Sequence, residues 1–68
     1  MPNVKKLRGR IVESGYTIES IAKEIGINRA TMYRKLSENA ETFSVKEAVL
    51  ISKKLSLNEQ DISDIFFA

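Results

Sequence analysis

Ile18, Ile21, Ala22 and Ile25 recur at the i, i+3, i+4, i+7 spacing of a helix face turned to a core, and the run stops at Gly26. Two residues further on, Asn28 opens a second short run whose apolar pair, Met32 and Leu36, is four apart. Neither segment is long enough to hold a helix alone. The pair must therefore fold against each other across Gly26-Ile27-Asn28. Gly26 supplies the positive φ that a sharp helix-to-helix turn requires. Ala22 falls where the axes cross, and its small side chain lets them approach. Ile27 is the apolar plug beneath the turn.

The remaining punctuation predicts three more helices. One runs from Val4 to about Ser14, capped by Asn3, with Val4, Leu7 and Ile11 as its stripe and Gly15 as its left-handed stop. Thr17 caps the helix at Ile18–Ile25, and Asn28 caps the one from Arg29 to about Ser37. Asn39-Ala40-Glu41-Thr42 reads as a loop. Ser44-Val45-Lys46-Glu47 is a capping box, with Phe43 set to staple against Ala48, and it starts a helix ending at Lys54 or Leu55. The last begins at the Asn58 cap, carries Glu59 and Asp61 in its first turn, and ends near Ile65 or Phe66. No segment alternates with period two over a useful length. The expected fold is all-α: five short helices in a single domain over residues 1–68.

Composition removes most chemistries. The 68 residues include no Cys and no His, which excludes disulfides, the usual zinc sites and His-dependent nucleophiles. Glu13, Glu19 and Glu24 lie on polar faces with no apolar pocket to tune them, and there is no phosphate-cradling glycine loop. No catalytic residue, cofactor, metal or small-molecule ligand is expected. No uninterrupted apolar run is longer than that from Ala48 to Ile51, so no membrane span is expected. The start of the chain, Met1 to Lys6, has no apolar stretch behind its charges, and a cytoplasmic protein is expected.

The net charge of +2 conceals an asymmetry. Residues 1–37 carry eight basic and three acidic side chains, whereas residues 38–68 carry three basic and six acidic ones. A basic half points to a polyanionic partner. With Met32 and Leu36 taken as the buried direction, at about 100° per residue, the third helix turns Arg29, Ala30, Arg34 and Ser37 outward, with Tyr33 and Lys35 at the rims. Arginine can bond guanine through two acceptors, and an alanine methyl can meet the thymine methyl. The hydroxyls of Thr31, Tyr33 and Ser37 and the Lys35 ammonium suit phosphates. The start of the second helix, at Thr17, offers free N–H groups at Ile18 and Glu19 for another phosphate. Lys5, Lys6, Arg8 and Arg10 read as solvated stems or loose phosphate contacts.

The segment Thr17–Ser37 resembles the helix-turn-helix of the Cro/lambda-repressor-like family, through Ile21-Ala22, Ile25-Gly26-Ile27 and Arg29-Ala30-Thr31-Met32. Arg34-Lys35-Leu36, Phe43-Ser44-Val45-Lys46-Glu47 and Asp64-Ile65-Phe66-Phe67 extend the likeness to small phage regulators of Gram-positive hosts. The resemblance implies a lambda-repressor-like domain that binds double-stranded operator DNA. It places base contacts at Asn28, Arg29, Ala30 and Arg34, with Tyr33 as an addition. Two positions depart from the family pattern. Ile18 stands where many members carry a phosphate-gripping Gln, and Lys35 where many bury an apolar side chain.

One recognition helix reads little sequence, and a dimer placing two of them one helical turn apart reads a palindrome. Val49, Leu50 and Ile51 cannot all face one core, so Leu50, Leu57 and Phe67 are the expected dimer contacts. The rival function is a protein-binding antirepressor or accessory module on the same scaffold. Arg29 and Arg34 engaged by the protein's own carboxylates, with no basic ridge left open, would contradict DNA recognition.

Overall fold

A computed structural model describes residues 2–67. Its helices are α1 (Val4–Glu13), α2 (Ile18–Ile25), α3 (Arg29–Ser37), α4 (Val45–Lys54) and α5 (Glu59–Phe66), and no strand occurs among the described residues. The all-α, five-helix expectation holds, with each boundary within a residue of its expected place.

Every helix opens on a side-chain cap. Asn3, Thr17, Asn28, Ser44 and Asn58 each accept the backbone N–H three residues on. The capping box at Ser44 and Glu47 is present, and Thr17 with Ser20 and Asn58 with Asp61 form two more. Four helices close in a related way. A left-handed residue at Gly15, Gly26, Asn39 or Ser56 turns the chain. The next residue then donates its N–H to the carbonyl five back: Tyr16 to Ile11, Ile27 to Ala22, Ala40 to Lys35 and Leu57 to Ser52. Each of these donors has an apolar body, and each packs in or against the core.

The core is one cluster. Leu7 and Ile11 enter from α1, Ile21, Ala22 and Ile25 from α2, Met32 and Leu36 from α3, Ile51 from α4 and Ile65 from α5, with Ala40 and Leu55 filling the connections. Helix α2 packs against α1, α3 and α4, while α5 closes on α1. That closure is polar as well as apolar. The Asn3 N–H donates to the Ile65 carbonyl at 2.7 Å, Lys6 Nζ reaches Asp64 at 2.9 Å, and Arg10 donates to Asp61 at 2.8 Å. The acidic second half thus neutralises part of the basic first half within the molecule.

Candidate nucleic-acid interface

The site is built on the α2–α3 pair. Ala22 is buried at the crossing, Gly26 turns the chain at φ +81°, and Ile27 packs half-buried beneath the turn. Met32 and Leu36 seat α3 on the core. With those two pinned inward, the helical period leaves Arg29, Ala30, Tyr33, Arg34 and Ser37 exposed on one face, as the sequence geometry predicts.

The two arginines do lie beside carboxylates. Arg29 Nε is 3.3 Å from Glu19 on α2, and Arg34 Nε is 3.8 Å from Glu38 one turn on. Both pairs are open to solvent, the arginine side chains being 68% and 64% exposed. Such pairs are worth at most about 1 kcal/mol. Both use Nε, at the stem of the fork. The terminal guanidinium nitrogens of both have no hydrogen-bond partner among the described residues. Arg29 also lies over the Tyr33 ring, 5.8 Å from its centroid, which holds that side chain along the helix. The ridge is paired at its base and open at its tip.

The residues expected at phosphates differ in how open they stand. Lys35 is withdrawn from the surface, its side chain only 12% exposed. Its ammonium donates to the Thr42 carbonyl at 2.8 Å, pairs with Glu47 at 3.1 Å and sits over the Phe43 ring at 5.7 Å. These contacts fasten α3 to the cap of α4. The cause is position: Lys35 follows Arg34 round the helix toward the loop, where a carbonyl, a carboxylate and an aromatic face converge. Ser37 is exposed, but its hydroxyl donates to the Arg34 carbonyl at 2.7 Å, so in this rotamer it offers a phosphate no proton. Thr31 is half-buried. The Thr17 hydroxyl accepts from Ser20 N–H and keeps its own proton to donate, while the Ile18 side chain packs against the core and leaves the backbone N–H groups at Ile18 and Glu19 as the other donors of that helix start. Asn28 is exposed, its Oδ1 accepting from Thr31 N–H.

The basic residues of α1 divide. Lys6 and Arg10 are tied to α5, whereas Lys5 and Arg8 are exposed with no carboxylate in reach among the described residues. Arg8 lines an open concavity of about 480 Å³ together with Tyr33, Arg34, Leu36 and Ser37 of α3. Sequence reasoning had no means to single it out from its neighbours, because the signal is which face of α1 meets α5.

Of the expected dimer residues, Leu57 and Phe67 line one apolar groove of about 570 Å³ between α4, α5 and the loop before α4. Leu50 does not line it and packs half-buried against the core. Val45 and Val49, both exposed, take its place on the groove wall. Among the described residues no helix is long and apolar enough to cross a membrane, and no cluster of potential metal ligands occurs.

Comparison with known proteins gives a family match over residues 6–39, described as the helix-turn-helix domain of resolvase. No curated protein and no solved structure matches. The matched stretch runs from α1 through the turn that ends α3, half of the chain, and holds every residue of the exposed ridge. The predicted sharp turn, the Thr17 and Asn28 caps and the outward arginines thus fall within the matched region, and the chain belongs to the resolvase-type helix-turn-helix family of DNA-binding domains.

Proposed function

We propose that this protein is a sequence-specific regulator of transcription, of the Cro/repressor-like kind, that reads the major groove of double-stranded operator DNA with α3. It would act in the cytoplasm by occupying a promoter, with no catalysis and no cofactor. The observation that carries this reading is the single exposed face of Arg29, Ala30, Tyr33, Arg34 and Ser37 on a helix whose opposite face is fully packed. The Glu19 and Glu38 carboxylates beside the arginines are cheaply displaced by a base edge, and until then they hold the long side chains extended.

A homodimer completes the reading. The groove presents a hole and a knob on one surface: Phe43, Leu57 and Phe66 form walls, while Phe67 and Val45 stand 75% and 81% exposed. A two-fold axis through it would seat each copy's Phe67 on the other. None of the α3 face residues lines this groove, so both surfaces can be occupied together.

Selection of bound duplexes from a random pool, followed by binding assays on the winner, tests these points. A site with two inverted halves about 10 base pairs apart is expected for a dimer. Affinity should fall steeply with salt. Arg34→Ala should cost about 1–3 kcal/mol on the selected site and relax one base preference. No enrichment, or Arg34→Ala binding with unchanged affinity and preference, would overturn the α3 assignment and favour a protein-binding accessory module.

A further inference from the structure

Helix α1 carries its charges on two flanks. With Leu7 and Ile11 taken as the buried direction, Arg10 stands about 80° to one side and Arg8 about 80° to the other. The first flank faces α5, where Asp61 and Asp64 take up Arg10 and Lys6. The second flank faces α3. There Arg8 shares an open concavity with Tyr33, Arg34, Leu36 and Ser37, and no carboxylate among the described residues pairs with it. Two guanidinium groups therefore line one notch, and among the described residues the carboxylate paired with either is Glu38, 3.8 Å from the Nε of Arg34 and 47% exposed. Like charges converging beside a surface that faces a polyanion leave a focus of positive potential.

We propose that this notch seats a backbone phosphate of the bound duplex, with Arg8 as its principal donor, Arg34 lending charge from the groove side and the Tyr33 hydroxyl at its edge. The proposal rests on the DNA-binding reading and adds a contact outside the two-helix motif. A phosphodiester fits because the notch is shallow, open and continuous with the α3 face, so the strand flanking the occupied groove runs across it. Guanidinium forks bind phosphate oxygens two at a time. The seat fixes how α3 lies in the groove and reads no base.

The test compares wild type, Arg8→Ala, Arg8→Lys and Lys46→Ala, an exposed cation outside the interface, on the selected site and on an unrelated duplex across a salt series. Arg8→Ala should lower affinity about three- to tenfold near 0.1 M salt, by the same factor on both duplexes. It should flatten the slope of log affinity against log salt by about 0.9. Arg8→Lys should restore the slope, since the charge remains. Lys46→Ala should match wild type. Arg8 has no ion-pair or hydrogen-bond partner among the described residues, so its variants should melt with the parent. An unchanged slope for Arg8→Ala, or a loss confined to the selected site, overturns the phosphate seat while leaving the α3 reading intact. A wild type that binds no duplex at any salt overturns both, and is a different result.

Discussion

Lys35 shows how a residue's surroundings decide the role of its charge. By sequence it is one more cation on a basic helix. In the structure its ammonium sits over the Phe43 ring and joins the Thr42 carbonyl to the Glu47 carboxylate. Glu47 is already engaged, accepting the Ser44 N–H at 2.9 Å. That backbone hydrogen bond, with Lys35 beside it, holds the Glu47 carboxyl below its ordinary range against the opposing effect of partial burial. Lys35→Ala should therefore act on folding. It removes a packed stem and a charge-assisted hydrogen bond, at a cost of about 1–3 kcal/mol. Denaturant titration should show this loss, while DNA affinity measured well below the melting point should stay within about twofold of the parent. A large affinity loss with unchanged stability would return Lys35 to the phosphate contacts.

At the scale of the element, the starts of helices were legible and some of their ends were not. Asn, Ser and Thr caps announce themselves because only a short polar side chain can satisfy the first free N–H groups. All five stand where the sequence places them. Gly15 and Gly26 were equally readable as stops. Asn39, Ala40 and Ser56 were not, because they hold left-handed backbone with φ near +59°, +60° and +53° despite carrying a Cβ. Their burden is borne by the residues around them: Ala40 and Leu57 are drawn into apolar contacts that fix the turn. The same contrast separates the site residues. The outward face of α3 followed from two buried positions and the helical period. The withdrawal of Lys35 and the isolation of Arg8 depended on loops and on a helix distant in sequence. Gly26→Ala isolates the cost of the turn itself. No atom lies within 4 Å of the added Cβ, so the penalty is conformational alone. About 1–2 kcal/mol should be lost, seen as a fall of several degrees in melting temperature for a domain of this size, and Gly26→Asn should lose less. Equal stability of Gly26→Ala and the parent would mean that the α2–α3 turn is not left-handed in solution.

For the whole molecule, the charge division becomes a pH dependence. The hydrogen bond from Lys6, with Gln60 adding a second, holds the Asp64 carboxyl below its ordinary range. Partial desolvation pushes Asp61 upward, but Arg10, the Asn58 N–H and Lys6 together outweigh it and leave the carboxyl lowered. Lys6 is raised by the same Asp64 contact. Lowered carboxyls stabilise the fold above their unfolded values, and that contribution disappears as the pH falls through their folded ones. The raised lysine contributes below its unfolded value of 10.5 and loses its effect only above it. Melting temperature should accordingly be flat from about pH 5 to about pH 10 and decline on acidification below about pH 4.5. Asp61→Asn should start lower and decline less. A parent that melts identically at pH 6 and pH 3 would remove the α1–α5 ion pairs from the account of stability.

Those pairs also tie the beginning of the chain to its far end, Asn3 to Ile65 and Lys6 to Asp64. During synthesis the cations of α1 leave the ribosome long before the carboxylates that receive them. The first three helices hold the whole helix-turn-helix, but its final enclosure waits for Ile65 to emerge. A nascent chain halted before that point would present the α1 charges unmasked to any polyanion it met.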